Sequence, residues 1–205
     1  MTEIKARRWL LERFGGARRT TLDRFAELLV DETSRQNLIA PSTSAHLWAR
    51  HMVDSAQLLL FAPAGWRHWV DIGTGAGFPG LVIAALCDAE VTMIEPRKLR
   101  ASFLARCIAE LDLPNARVSA TSAHHVLLSR LGDVISARAV APLGRLFELA
   151  SPLATSTATY ILPKGANARD ELSCARRAWS GVFHVEPSIV DPSSGIVVAR
   201  QVERR

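Results

Sequence analysis

The amino-acid sequence predicts an α/β protein built on a doubly wound, mostly parallel β-sheet, and three observations support this class. From residue 66 onward, short apolar runs alternate with stretches of helical periodicity, which is typical of parallel strands joined by helices. A glycine-rich segment, 73–80, follows the first of these apolar runs. Two runs of alternating polarity, 182–190 and 196–203, surround the turn DPSSG and predict an antiparallel hairpin at the edge of the sheet.

Residues 1–60 are predicted to form a helical extension. Apolar residues recur there at helical spacing, at Leu22, Phe25, Ala26, Leu29 and Val30. A second helix is expected within 41–60, where Ser42, Thr43 and Ser44 precede the apolar positions as a helix cap does. No linker rich in glycine and serine separates this part from residues 61–205, so we expect the extension to pack on the core within one structural domain.

Residues 61–205 are predicted to form the sheet and its helices. Apolar runs bounded by turns predict five strands, at 68–72, 91–95, 116–120, 133–137 and 157–162, the last ended by the sequence PKG. Helical periodicity predicts helices from Pro79 to about Cys87 and at 98–112, 143–151 and 168–179. Pro79 suits the first helical turn, where its missing N–H is not needed, and Leu99 is expected on the apolar side of its helix.

Composition leaves an RNA partner open without requiring one. The 205 residues carry a net charge of +5 and are 48% hydrophobic, and the excess charge is spread along the chain rather than gathered in a basic block. Cys87, Cys107 and Cys174 are far apart, so neither a zinc site, nor any other metal site, nor a disulfide framework is expected. The longest apolar run, LVIAALC, is too short to cross a bilayer, and we predict a cytoplasmic monomer.

The segment VDIGTGAGFPG predicts a cofactor that contains adenosine. Gly75, Gly77 and Gly80 have the spacing G-x-G-x-x-G between a strand and a helix, which lets the backbone approach a ligand closely. Glu95 follows about twenty residues later, at the end of the second strand, where an acid accepts hydrogen bonds from ribose hydroxyls. We therefore expect the glycine segment and Glu95 to face one ligand.

Two classes of cofactor fit this motif, a nicotinamide dinucleotide and S-adenosylmethionine. Asp71, just before Gly73, would repel a pyrophosphate but favour the positive ammonium and sulfonium of a methyl donor. The chain is also short for two nucleotide-binding halves and a substrate domain. S-adenosylmethionine is therefore favoured, while a small-molecule methyltransferase, an NAD-dependent oxidoreductase and a non-catalytic cofactor-binding protein stay open as alternatives.

The segments RHMVDS, VDIGTGAGFPG, IEPRKLRASFL, ISARAVAPL and PKG, in this order from about Asn37 to Gly165, resemble the RsmG (GidB) family. The resemblance implies a Rossmann-like class I methyltransferase. Such an enzyme uses S-adenosylmethionine to methylate N7 of one guanine in small-subunit (16S) ribosomal RNA, near the decoding site. The implied partner is the 16S RNA or the small ribosomal subunit.

The resemblance also implies which residues contact the cofactor. Gly73 corresponds to the first glycine of the family's loop, Phe78 stands where leucine is usual, and Glu95 is the acid that faces the ribose. Ala123 followed by His124 corresponds to a small residue and an acid that lie beside the adenine, so the acid of that pair is missing here.

Arg138 and Lys164 correspond to the family's basic residues after the fourth and fifth strands, and both are candidates for positioning the target. Arg138 is expected to contact the cofactor carboxylate or an RNA phosphate; the alternative is a structural ion pair with Asp133 or Glu148. The substrate-binding candidates in the helical extension are Asn37, Arg50 and His51. For His51 the alternative is a buried histidine held by a carboxylate on its own helix, which also carries Asp54.

Overall fold

A computed structural model of the chain describes residues 1–40 and 45–205. It contains a seven-stranded sheet of order β3-β2-β1-β4-β5-β7-β6. The strands are β1 (His68–Ile72), β2 (Glu90–Ile94), β3 (Ala116–Ser119), β4 (Gly132–Ala137), β5 (Ala154–Gly165), β6 (Trp179–Pro187) and β7 (Gly195–Arg204). The strand order reverses between β1 and β4, so the carboxyl ends of these two strands flank the crevice in which ligands of open α/β sheets bind.

The predicted mostly parallel sheet with an antiparallel C-terminal hairpin is confirmed. Strands β1 to β5 pair in parallel, and β7 is antiparallel to both of its neighbours, β5 and β6. The hairpin does not simply extend the edge, because its second strand, β7, lies between β5 and β6.

The helices lie on both faces of this sheet. They are α1 (Glu3–Thr33), α2 (48–61), α3 (Gly80–Leu86), α4 (Lys98–Glu110), α5 (Leu143–Ala150) and α6 (Ala168–Ala175). Helix α1 is interrupted at Gly15, whose φ of 81° is not helical. Segment α2 is irregular: a π-helix, Trp48–Val53, leads into an α-helical turn, Asp54–Ala56, and then a 3-10 helix, Gln57–Phe61.

Alternating residues of β1 divide the core into two layers. Trp69 packs in a cluster with buried residues of α1 to α4, whereas Val70 and Ile72 pack on the opposite face with residues of α5 and α6. The helical extension contributes buried side chains such as Phe25 and Met52 to the first cluster. The described residues of this extension, 1–40 and 45–60, therefore share their apolar core with the sheet.

Two apolar positions that periodicity placed on buried faces are exposed instead: Val30 is 61% and Leu99 is 73% accessible. Val30 follows the buried Leu29, whereas Leu99 lies between the exposed Lys98 and the half-buried Arg100. Of the three cysteines, Cys107 is buried, Cys87 is half-buried and Cys174 is exposed.

Several predicted boundaries differ from the structure. The helix predicted to reach Trp179 ends at Ala175, because Trp179 is the first residue of β6 and its ring packs against Phe147. Strand β5 does not stop before the PKG sequence but continues to Gly165, with an irregular register beside Pro163. Pro79 caps α3, which begins one residue later. The cap predicted at Ser42, Thr43 and Ser44 lies outside the described residues.

Within residues 1–40 and 45–205, no helix is both long and apolar enough to cross a membrane. The same part of the chain contains no cluster of three or more His, Cys, Asp or Glu side chains arranged to hold a metal ion.

Candidate functional site

The glycine segment forms the loop between β1 and α3, at the carboxyl edge of the sheet. Gly73, Gly75 and Gly77 all have positive φ values, 67°, 60° and 102°, which a residue with a side chain rarely adopts. The loop is also closely covered at one point, because a Cβ atom on Gly73 would lie only 2.7 Å from Cγ2 of Val140, a residue that follows β4. The loop therefore approaches the segment after β4 directly across the crevice.

Asp71 lies beneath this loop and is fully buried. Its Oδ2 accepts from the N–H of Gly80 over 2.9 Å, and its Oδ1 accepts from the hydroxyl of Ser136 over 2.6 Å. The Ser136 hydroxyl in turn accepts from the indole N–H of Trp69. Burial raises the pKa of Asp71 to about 6. In this structure the carboxylate thus connects β1, β4 and the start of α3, and its interaction with a cofactor stays a prediction.

Glu95, the residue after β2, connects that strand to the glycine loop. It is only 3% exposed; its Oε2 accepts from the N–H of Gly75 over 3.0 Å and its Oε1 from the N–H of Arg97 over 2.8 Å. In the described part of the chain, no lysine or arginine forms an ion pair with this carboxylate. The sequence analysis predicted that Glu95 and the glycine loop face one ligand. In the structure, Glu95 and this loop are in direct contact.

Arg138, directly after β4, is held by α2 on the other side of the crevice. Its Nη1 donates to Oδ2 of Asp54 over 3.1 Å and to the carbonyl of Arg50 over 3.4 Å, and its Nη2 lies 3.1 Å from Nδ1 of His51. The alternative prediction, a structural ion pair of Arg138, is confirmed in type, but the partner is Asp54 rather than Asp133 or Glu148. Asp133 accepts from the backbone N–H groups of Arg67 and His68, and Glu148 pairs with Arg145.

His51 is neutral in this arrangement. Burial, followed by the charges of Arg138 and Arg50, lowers its pKa to about 4, so the unprotonated Nδ1 can accept a hydrogen bond from the Arg138 guanidinium. The imidazole also stacks on Phe78 of the glycine loop, with ring centroids 4.9 Å apart. The alternative of a carboxylate holding His51 is therefore wrong: Asp54 binds Arg138 instead. Burial raises the pKa of Asp54, although Arg138 opposes that shift.

A pocket of about 520 Å³ opens beside this cluster, which we call the β4–β5 pocket. Its charged side chains are Arg50, Asp54, Arg138, Lys164, Glu171 and Asp191, and its apolar wall includes Val140, Pro142, Pro163 and Ile196. Val140 lies between this pocket and Gly73 of the loop. Its size is in the range of ligand-binding clefts.

A comparison with known families gives a match over residues 18–193, to the family described as GidB, rRNA small subunit methyltransferase G. The chain belongs to the GidB family. The ribosomal RNA small subunit methyltransferase G of Novosphingobium aromaticivorans is 43% identical over 98% of this chain and 89% of its own length. That of Rhizorhabdus wittichii is 41% identical over 100% of this chain and 95% of its own.

Solved structures agree with this family at the level of the fold. An O-methyltransferase from Bacillus cereus, crystallised in complex with SAH, matches 94% of this chain and 96% of its own with a TM-score of 0.61. The two sequences are only 13% identical, so the likeness shows the Rossmann-like methyltransferase architecture and nothing finer.

Three of the residues that the GidB resemblance singled out lie away from the cluster around Arg138. Asn37 is exposed, and its carbonyl accepts from Arg100 at 3.5 Å. Ala123 is half-buried in the loop after β3, and the exposed His124 lies 3.3 Å from Nη2 of Arg145. Contacts of these residues with a cofactor or RNA stay predictions.

Lys164 is nearly buried, with its side chain 8% exposed. Its Nζ donates to the carbonyl of Ala141 over 2.7 Å and pairs with Oε2 of Glu171 over 2.8 Å. Sequence reasoning did not identify Glu171, because nothing in its local pattern distinguishes it from other acids on a helix. It also missed the role of Asp54, although the segment RHMVDS contained it.

Proposed function

We propose that this member of the GidB family transfers a methyl group from S-adenosylmethionine to N7 of one guanine in 16S ribosomal RNA, near the decoding site. Family membership supports the reaction and the substrate class. The structural observation that carries the proposal is the buried Glu95 carboxylate, bonded to the Gly75 amide at the edge of the crevice that Arg138 closes from the other side.

The residues around Glu95 fit an adenosine. Each carboxylate oxygen accepts one backbone N–H, which leaves acceptor capacity on both for the two ribose hydroxyls. Gly73, Gly75, Gly77 and Phe78 would line the cofactor along its length, and the backbone at Ala123 and His124 would lie beside the adenine. When bound, S-adenosylmethionine supplies a methyl group activated by its sulfonium.

Asp71 would favour the positive charge of the cofactor from beneath the loop. Its oxygens already accept from Ser136 and Gly80, so its contribution would be electrostatic rather than a direct contact. With a pKa of about 6, most of the carboxyl groups are ionised at neutral pH. The same charge would disfavour a pyrophosphate, which supports a methyl donor over a dinucleotide.

The chemistry at guanine N7 needs positioning rather than proton transfer. N7 has a free lone pair and no proton to lose, so no general base is required, and the chain's residues would act by holding N7 in line with the methyl group. The product ring is cationic, so Arg138 is best placed against the cofactor carboxylate or an RNA phosphate. Its links to Asp54 and His51 would fix it there. The exposed Arg50 and Asn37 would contact RNA at the mouth of the site.

Transfer of radioactive methyl groups tests this function. The protein would be incubated with labelled S-adenosylmethionine and, in parallel, with free 16S RNA, intact small subunits, transfer RNA and a small-molecule extract. Label in 16S RNA or the subunit, with strand scission at one guanine under N7-specific cleavage, is the expected result, and the better of these two substrates identifies the physiological form. Label only in the extract would contradict the RNA substrate, and cofactor binding without transfer would contradict the enzyme.

The same proposal places the protein in the cytoplasm, where ribosomal subunits assemble, and treats it as a monomer. Sedimentation of the purified chain with and without small subunits would check both the self-association and the partner. A stable dimer in the absence of subunits would contradict the monomer.

A further inference from the structure

Three carboxylates line the β4–β5 pocket, and Glu171 uses its oxygens differently from Asp54 and Asp191. Both oxygens of Asp191 are occupied, since Oδ1 accepts from the hydroxyl of Ser193 and Oδ2 from that of Ser194. Both oxygens of Asp54 are occupied, since Oδ1 accepts from Nε2 of Gln57 over 2.9 Å and Oδ2 accepts from Arg138. Glu171 receives both of its donors on one oxygen: Oε2 accepts from the N–H of Leu143 over 3.0 Å and pairs with Lys164 over 2.8 Å. Among residues 1–40 and 45–205, no group donates to Oε1 of Glu171, whose side chain is 29% exposed.

The position of this carboxylate is fixed by its surroundings. Glu171 lies on α6, Leu143 is the first residue of α5, and Lys164 lies near the end of β5. Lys164 is itself held by the carbonyl of Ala141, so the ion pair joins three elements. A carboxylate held this way keeps its second oxygen in place before a ligand arrives, which is what selective recognition requires.

A guanine whose N7 faces the glycine loop would present its opposite edge to the rest of the pocket. N7 and O6 lie on one edge of the base, whereas N1–H and the N2 amino group lie on another. Guanine presents two adjacent donors there, and a carboxylate is an acceptor only. Adenine has a bare acceptor, N1, at the corresponding position, so the same carboxylate would repel it.

We propose that Oε1 of Glu171 accepts hydrogen bonds from N1–H and the N2 amino group of the target guanine and so selects guanine over the other bases. The inference rests on the proposed function. It also has a consequence for the rate, because methylation at N7 makes the ring positive and its N–H groups stronger donors. The interaction is therefore stronger in the transition state than in the ground state.

Inosine at the target position tests this assignment, since inosine is guanosine without the N2 amino group. Small subunits would be reconstituted with 16S RNA that carries guanosine or inosine at the methylated site. The measured quantity is the ratio of kcat/KM for the two substrates. Wild-type protein is expected to prefer guanosine by roughly 10-fold or more, since the lost hydrogen bond involves a charged acceptor.

In Glu171→Gln, which keeps the shape of the side chain, and in Glu171→Ala, the preference for guanosine is expected to fall to about 3-fold or less. The reason is that losing the Glu171 carboxylate and losing the N2 amino group of the base remove the same interaction. Asp170→Asn is the matched control: Asp170 is the exposed neighbour on α6, does not line the β4–β5 pocket, and should leave the ratio unchanged. Both kcat/KM values in a ratio are measured on one preparation of the variant. A smaller fraction of folded protein therefore lowers both values equally and leaves their ratio unchanged.

Equal losses on both substrates in the Glu171 variants, with the preference for guanosine intact, would make Glu171 a structural residue and overturn the proposal. Equal methylation of guanosine and inosine by the wild-type protein would overturn it without any variant. An absence of methylation on every RNA would instead overturn the proposed function, so the two failures are distinguishable.

Discussion

Arg138 and Asp54 form an ion pair over 3.1 Å that closes the crevice between the end of β4 and segment α2. Both side chains are about one-fifth exposed, at 21% and 22%. The pair is 84 residues apart in the sequence, and it fixes a guanidinium at the place where the glycine loop and the β4–β5 pocket meet. The helical extension is thus part of the candidate site rather than a separate support for the fold.

Replacing Asp54 with asparagine is expected to lower kcat/KM for methylation of the small subunit roughly 10- to 100-fold, because a displaced guanidinium no longer positions the substrates. Cofactor affinity measured by calorimetry should change by about 3-fold or less. Asp31→Asn, which removes a highly exposed ion pair with Arg35 on α1, is the control and should have little effect on either quantity. Unchanged methylation in Asp54→Asn would show that Arg138 does not need this partner.

Replacing Glu95 with glutamine is expected to weaken binding of S-adenosylhomocysteine by roughly 10- to 100-fold, because hydrogen bonds to a charged acceptor are lost at the ribose. Calorimetry of the purified protein measures the change. Glu90→Gln is the matched control, because Glu90 is the first residue of β2, at the end opposite to Glu95, and pairs with Arg117. Equal affinity in wild type and Glu95→Gln would contradict the ribose contact.

Asp71 is expected to give stability an unusual dependence on pH. Its pKa is raised from 3.8 to about 6, so between these values the folded chain binds more protons than the unfolded chain. The contribution of Asp71 to the free energy of unfolding should therefore fall as pH rises from 4 to 6, by about 3 kcal/mol at most. Denaturant unfolding of wild type and Asp71→Asn at several pH values measures this difference, and a constant difference would contradict the raised pKa.

His51 is expected to titrate near pH 4, well below the ordinary range of histidine. NMR signals of its imidazole should therefore stay those of the neutral ring throughout the range in which the protein is active. Arg138→Gln should move the pKa of His51 upward, because it removes the positive charge that lies against Nδ1. A titration near 6.5 in the wild-type protein would contradict the arrangement.

The sequence predicted those parts of the fold and site that depend on local pattern. The predicted strand HWVDI coincides with β1, whose five residues are all buried. A short run of this kind that ends at a glycine-rich loop is typical of a buried strand. Glu95 was found from its spacing alone, because the acid at the end of the second strand necessarily lies beside the loop after the first. The predicted burial of Val30 and Leu99 was wrong, because periodicity shows which side of a helix a residue lies on but not how much of that side the neighbouring elements cover.

Contacts between distant parts of the chain could not be predicted in the same way. The partner of Arg138 was sought nearby, at Asp133 and Glu148, whereas the structure uses Asp54 from another element. The irregular helix geometry of α2, which presents Arg50, His51 and Asp54 toward Arg138, has no signature in the segment RHMVDS. Glu171 became a candidate only when the ends of α5, α6 and β5 were seen together.

The place of β7 in the sheet also has a consequence for how the protein is made. Strand β6 leaves the ribosome before β7, and among the described residues β7 is its only partner. Until residues 195–204 emerge, both β6 and the outer side of β5 therefore carry open backbone edges. Gly195 and Ile196 of β7 also line the β4–β5 pocket. A nascent chain that lacks this strand has no complete β4–β5 pocket, so the pocket is completed only after β7 has been translated.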